Sequence, residues 1–464
     1  MRIVITIGLM FVLSGVQAQS KVLSLENTLD IIRKYHPVAR QAKLGVELAE
    51  ADLLSARGVF DPAFYVSTDR KTFNGSEYFF HTNPELKIPT WFGIDVKAGF
   101  ENNTGVRVDP ETTLGKSTYL GVTIPVLKGL LFDKRRAAIL QGKLMVQMSR
   151  QEQLLALNDL LYEATEAYWK WVAAYNIYKV LSKATDVNEQ RFGFVKKSFL
   201  SGDRAAIDTT EALSQWQSIQ TMQSQSWYEW QKARLTLGNF LWTQEQQPYD
   251  LPEEVQPDSA WMVVAVREYP LPVLDEAMKL AMEQHPKLRA YGIKADALDI
   301  EKRAKFQSLL PKLDLNYNFL NKGYGLGKTF TQPLFDNNYK YGVQFGLPLF
   351  QREARGDYRM AKIKIQDNIL KRDQQQLEIA NKVRAGFSEV MALQRQVNLM
   401  QDNVRNQQLL LKAEESKFSI GESSMFLVNS RENKLLETQQ KYAELRTKFF
   451  KSLAGVQWAS GTLR

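Results

Sequence analysis

Two His-Pro pairs are the residues of this chain best suited to chemistry. His36-Pro37 lies in KYHPVAR and His285-Pro286 in QHPKLR, and they hold two of only three histidines in 464 residues. A scarce His invites a metal ligand or a general base, yet neither has a second His, a Cys or an acidic cluster at ligand spacing. GYGLGKT at 323–329 ends like a phosphate-binding loop. That motif needs a Gly where Lys322 stands and a helix after the Lys, whereas FTQPLF follows. It reads instead as a connection between two strands, with Gly supplying the turn. No G-x-S-x-G occurs, and there is no cysteine. That excludes a thiol nucleophile, a thiolate zinc site, a disulfide framework and a lipid anchored on Cys. No catalytic, cofactor-binding or metal-binding set emerges, and the chain does not read as an enzyme.

The pairs acquire a different meaning once their spacing is measured. His36 and His285 lie 249 residues apart, and Leu25/Leu274, Arg40/Arg289 and Pro62/Pro311 share that offset. Later landmarks continue at smaller offsets: Pro125 matches Pro348 at 223, and Gly202 in KSFLSGD matches Gly421 in KFSIGE at 219. The chain is a tandem duplication, and its first half carries about 26 extra residues between Pro62 and Pro125. Pro37 and Pro286 then sit where a Pro is preorganised to start a helix, and the preceding residue is held out of the α region. Each pair is a structural joint.

The elements around these joints repeat in one order. The first repeat, 19–241, reads as helices at 24–58, a strand region at 63–126, a long helix at 128–200 and a helix at 203–241. A Pro- and acid-rich linker follows at 242–272. The second repeat, 273–464, reads as helices at 273–308, strands at 312–348, a long helix at 351–419 and a helix at 422–458. Val383, Val390, Val397, Val404, Leu411 and Phe418 recur every seven residues. Leu157, Leu160, Ala164, Ala167, Trp171, Ala174, Tyr178 and Leu181 alternate steps of three and four, and both series are coiled-coil seams. At 1.5 Å per residue such a helix would run about 100 Å.

The strand regions alternate apolar with polar or small residues in LDLNYNF (313–319) and YKYGVQFGL (339–347). Segments 63–69, 92–100 and 119–124 do so in the first half, one more than two crossings per half requires. Such alternation suits lipid on one face and water on the other. Four strands cannot close a membrane barrel, so a four-strand chain must share its barrel with copies of itself.

The first residues fit a secretory signal: Arg2, an apolar run from Ile3 to Leu13, and Val16-Gln17-Ala18 before a cut, making 1–18 a signal peptide. The 60 Lys and Arg against 51 Asp and Glu then read as solvated helix faces rather than a nucleic-acid surface.

These landmarks, in this order and twice over, resemble the TolC-like outer-membrane efflux family. The carriers are SLENTLDIIRKYHPVARQAKLGVELAEADLLSARG, the strand-to-helix PVLKG and PLFQRE elements, and the KSFLSGD and KFSIGE turns. The resemblance implies a mainly α fold with a membrane β part. A homotrimer would form a periplasmic α-barrel continuous with a shared twelve-strand outer-membrane barrel, four strands per chain. It further implies an exit duct working with a periplasmic adaptor and an inner-membrane transporter, without a cofactor and without nucleic acid. A periplasmic adaptor or a secreted coiled-coil adhesive is the alternative, and either would lack the strand pairs.

By the same resemblance Gly202 and Gly421 mark the periplasmic entrance. The family's acidic constriction falls at Leu427 and Ser430, so that ring is in doubt, and Asp203, Asp208, Glu211 and Glu422 are the nearby acids. They could favour cations, or simply complement helix N-termini. The family often has Asn before the joint Pro, so His36 and His285 are expected to cap less well. Lys128, Lys134, Arg135, Arg136, Arg352, Arg355 and Arg359 crowd the starts of the long helices, where positive charge is disfavoured. Anionic lipid headgroups, neighbouring carboxylates or solvent must compensate them.

Overall fold

A computed structural model describes residues 22–109, 112–324, 335 and 338–463. The segment read as a signal peptide and most of GYGLGKT lie outside the described residues. The first repeat runs β1 (Val22–Leu23), α1 (Leu25–Tyr35), α2 (Pro37–Arg57), then strands β2 (Ala63–Phe73), β3 (Ser76–Pro89), β4 (Asp95–Thr104) and β5 (Gly115–Pro125). It ends in α3 (Lys134–Leu200) and α4 (Ala206–Gly238). Between the repeats lie β6 (Gln256–Pro257) and a single turn, α5 (Ala260–Val263). The second repeat runs α6 (Leu274–Gln284), α7 (Pro286–Gln307), β7 (Lys312–Lys322), β8 (Tyr339–Gly346), α8 (Arg352–Ser419) and α9 (Met425–Ser460).

The described chain forms two compact units, and each draws on both repeats. One comprises Met1–Ala39, Asp159–Val273 and Ala385–Val456; the other comprises Arg40–Asn158, Leu274–Arg384 and Gln457–Arg464. The seams are the buried stripes of the two long helices, which have 67 and 68 residues. Val390 and Val397 are fully buried, as are Ala164 and Trp171, while Lys170, Glu389 and Gln396 beside them are exposed. Period-3.5 burial of this kind packs one stripe of each long helix against its neighbours, and that packing supplies most of the helix's stability.

Both His-Pro joints have one geometry. The His36 N–H closes α1 on the Ile32 carbonyl, and the His285 N–H closes α6 on that of Ala281. Each imidazole Nδ1 then accepts a backbone N–H of the next helix, from Val38 at 3.2 Å and from Lys287 at 3.1 Å. The expectation that these histidines cap poorly is therefore corrected. An Nδ1 lone pair stands in for the Asn oxygen, provided the ring is neutral. His36 is buried against Phe240 and Trp242, and burial lowers its pKa, opposed by a hydrogen bond with the Asn239 backbone. A lowered folded pKa gives stability that is present above the ordinary value of 6.5 and is lost as pH falls through the folded value. Unfolding midpoints measured between about pH 7.5 and about pH 5 should fall more for the native chain than for His36→Asn, whose cap does not titrate. Parallel pH profiles for the two would remove His36 from this role.

The sheet corrects the strand count. Among the described residues six strands, not four, form one antiparallel sheet in the order β2-β3-β4-β5-β7-β8. All three first-half candidates fall on strands, although 92–94 is a turn before β4, and a fourth strand, β3, lies outside them. It is joined to β2 by Asn74-Gly75, whose φ values of 50° and 77° make the tight hairpin turn that an Asn-Gly pair favours. Two extra strands keep the number of crossings even, which is why no candidate had to be discarded. The first long helix also begins at Lys134 rather than 128, because Gly129 has φ +98° and Asp133 caps the helix by accepting the Arg136 N–H at 2.8 Å.

Candidate functional site

Two features of the fold can serve transport, and each lies within one unit. The first is the sheet. Register places Phe64, Leu86, Ala98, Leu120 and Phe319 across one face at one height, with Tyr339 opposite Phe319. On the other face Lys87 lies opposite Lys97, Lys97 opposite Gly121, Gly121 opposite Asn318, and Asn318 opposite Lys340. Large apolar side chains on the first face stay exposed, among them Phe64, Tyr341, Val343 and Phe345, at 61–68 %. Tyr317, Phe319, Phe335, Tyr339 and Tyr341 form a contiguous aromatic band there. A soluble sheet would turn such a face inward; among the described residues nothing covers it.

The polar face is tied across strands. The Tyr119 ring lies over Gly99 of β4, where a Cβ would come within 2.6 Å of it. The hydroxyl reaches β3 and donates to Glu85 Oε2 at 2.6 Å. Thr123 donates to Asn316 Oδ1 at 2.7 Å, joining the two repeats within the sheet.

At the helix end of the sheet two of the crowded cations, Arg135 and Arg136, have carboxylate partners. Arg135 bonds Asp95 at 2.7 Å and Asp133 at 3.2 Å. Arg136 bonds Asp133 and the carbonyls of Gly129 and Leu130, and Lys305 pairs with Asp357. Burial would raise the Asp133 pKa, but the Arg136 N–H and the two guanidinium groups outweigh it and hold the carboxyl below its ordinary value. Of the three compensations, neighbouring carboxylates are the one that neutralises Arg135 and Arg136. Pro62 and Pro311 lie just before β2 and β7, Pro125 ends β5 opposite Asp314, and Pro348 follows β8.

The second feature is a pair of helix turns. Gly202 and Gly421 both have φ +82°. Around each, the glycine N–H reaches back three residues and the next N–H five, from Asp203 to Ser198 and from Glu422 to Lys417. This is a Schellman stop, which needs a residue without Cβ strain at the left-handed position. Asp203 and Glu422 are exposed on the turns, whereas Asp208 and Glu211 are half-buried along α4, so the four acids do not form one cluster within a chain. Leu427 and Ser430 are both exposed, which leaves an apolar and a neutral side chain where the resemblance puts acids.

Val195, Ala212, Phe418, Met425 and Val428 form a core behind the turns, and the Arg204 guanidinium lies 4.1 Å over the Phe418 ring. Beyond it, Arg191 bridges Glu432 and Glu415, both at 2.8 Å, while Asn188 and Gln215 also donate to the buried Glu432. These links join helices of the two repeats, and no sequence motif announces them. Among the described residues, no three His, Cys, Asp or Glu are grouped to hold a metal, and no helix is long and apolar enough to cross a membrane.

Several solved structures share this arrangement. The Campylobacter jejuni CmeC outer membrane channel matches with a TM-score of 0.67 at 14% identity, covering 95% of this chain and 86% of that one. The outer membrane protein VceC of Vibrio cholerae gives 0.65 at 14% identity, covering 95% and 97%. The open state of the Neisseria gonorrhoeae MtrE outer membrane channel gives 0.66 at 14%, covering 95% and 89%. At that identity they establish a common fold. No curated protein matches the chain by sequence. Residues 277–462 match the family model described as outer membrane efflux protein. The matched residues are the second repeat, so the family's signature lies in that half; the first repeat, which holds the additional strands, lies outside the match.

Proposed function

We propose that this chain is a TolC-like efflux protein, an outer-membrane exit duct of a tripartite export system acting without enzymatic chemistry. The carrying observation is the sheet with one exposed apolar, aromatic-banded face and one polar face. Lipid suits the first face and a water-filled lumen the second. Copies of the chain, three in the family pattern, close the sheet into a barrel, and the long helices extend into the periplasm. The turns at Gly202 and Gly421 form the entrance, with Asp203 and Glu422 exposed at its mouth and Asp208 and Glu211 set back along the helix. A periplasmic adaptor and an inner-membrane transporter are the partners. Neither a periplasmic adaptor nor a secreted coiled coil accounts for such a sheet. Membrane fractionation tests the reading: the protein should stay in the outer membrane through salt and carbonate washes. A strain lacking it should gain susceptibility to a dye, detergent or metal, or lose a secreted protein. Recovery in the soluble periplasm would overturn it.

A further inference from the structure

The two edges of the sheet are where the chain departs from a four-strand pattern. The duplication aligns Pro62 with Pro311 and Pro125 with Pro348, so β2 is the counterpart of β7 and β5 that of β8. In the second repeat the counterparts pair directly with each other. In the first they are separated by β3 and β4, which pair with each other and lie between β2 and β5 in the sheet. The extra length between the two prolines, about 26 residues, is that of one inserted strand pair. The insertion pushes β2 out to the edge, where ten of its eleven residues are exposed. The opposite edge is β8, also largely exposed.

An open edge in lipid leaves backbone N–H and C=O groups without partners, which the bilayer core does not tolerate. From this we infer that β8 of one copy pairs with β2 of the next, so that each chain brings six strands and three chains close an eighteen-strand barrel. The strand directions permit it: six antiparallel strands leave β2 and β8 running in opposite senses, so copies arranged around a ring meet edge to edge as an antiparallel pair. The faces also permit it, because Phe64 and Val66 on β2 continue the apolar face that ends in Tyr341, Val343 and Phe345 on β8. Barrel diameter grows roughly linearly with strand number, so this lumen is about 1.5 times as wide as that of a twelve-strand ring. The inference rests on the outer-membrane reading above and specifies which edges that reading joins.

The native absence of cysteine gives a clean background for cross-linking. Ser67→Cys with Gln344→Cys places thiols on the polar face of β2 and β8, and Lys97→Cys with Gln344→Cys places them on β4 and β8. In one chain the first pair is five strand spacings apart, about 24 Å, beyond a short bis-maleimide. Both variants are cross-linked in carbonate-washed outer membranes and resolved on denaturing gels. The expected result is a ladder to a covalent trimer for the first pair and none for the second. A ladder for β4 with β8 alone would show that β2 and β3 stand outside the barrel and would overturn the inference, leaving the duct intact. A ladder stopping at two copies, or no ladder from protein that is in the membrane, would overturn it as well. Protein missing from the washed membrane would instead sink the outer-membrane reading itself.

Discussion

Arg446→Ala should destabilise the protein by at least about 3 kcal/mol and release the segment between the repeats. Arg446 is buried, at 5 % exposure, and its Nη2 donates to the carbonyls of Trp261, Met262 and Val264 at 2.6–2.8 Å. Its Nη1 donates to the Tyr442 hydroxyl, and the guanidinium lies over the Trp261 ring. Around it, Trp169 stacks on Phe450, and Tyr269 meets both Phe449 and Phe450 edge-on. One side chain on α9 therefore satisfies backbone that no strand or helix partner serves. Truncation strands those carbonyls, each worth about 1–3 kcal/mol when buried without a donor. Lys has the charge but neither the planar fork nor the ring stacking, so Arg446→Lys should recover only part of the loss. Two measurements check this: the urea midpoint, and the rate of tryptic cleavage at Arg267, an exposed site in the tethered segment. An unchanged cleavage rate in Arg446→Ala would show that the segment is held by other contacts.

Arg191→Met should cost about 3–5 kcal/mol, the penalty for stranding one member of a buried ion pair. The Glu432 carboxylate is 6 % exposed, and with Arg191 gone only the amides of Asn188 and Gln215 remain to solvate it. Glu432→Met should cost less, since Arg191 keeps Glu415 at the surface. Converting both residues to Met removes the pair without leaving a buried charge, and should regain most of the stability. Urea titration of the four chains gives the coupling directly. If the double variant is as unstable as the sum of the singles, the two residues act independently and the stranded-charge account fails.

Much of the helical part of the fold was legible because it is periodic. Seams such as Val390 and Val397 state their own burial, and the Gly202 and Gly421 turns state their own stop. The strand count was legible only in part. β3 begins with SEYFFHT, whose apolar residues run consecutively instead of alternating, so periodicity passes over it. The Asn-Gly turn at 74–75 was the local signal that could have found it. Proper capping by His36 and His285 was hidden because His is a weak cap by type, and only a buried neutral ring makes it a good one. Arg446 and the Arg191–Glu432 link lie outside any motif. Their roles depend on which helices meet, and spacing along the chain carries no record of that.

The contact between β5 and β7 also constrains how the chain can be made. Gly121 pairs with Asn318, nearly two hundred residues later in the sequence, so the first four strands finish well before the strand that must cover β5 exists. Pairings this remote close slowly, and the waiting edge is open to wrong partners. Between synthesis and insertion, the four-strand half-sheet with its apolar face is therefore the most aggregation-prone species this chain passes through. The timing of α6 and α7, which deliver β7 to that edge, sets how long it lasts.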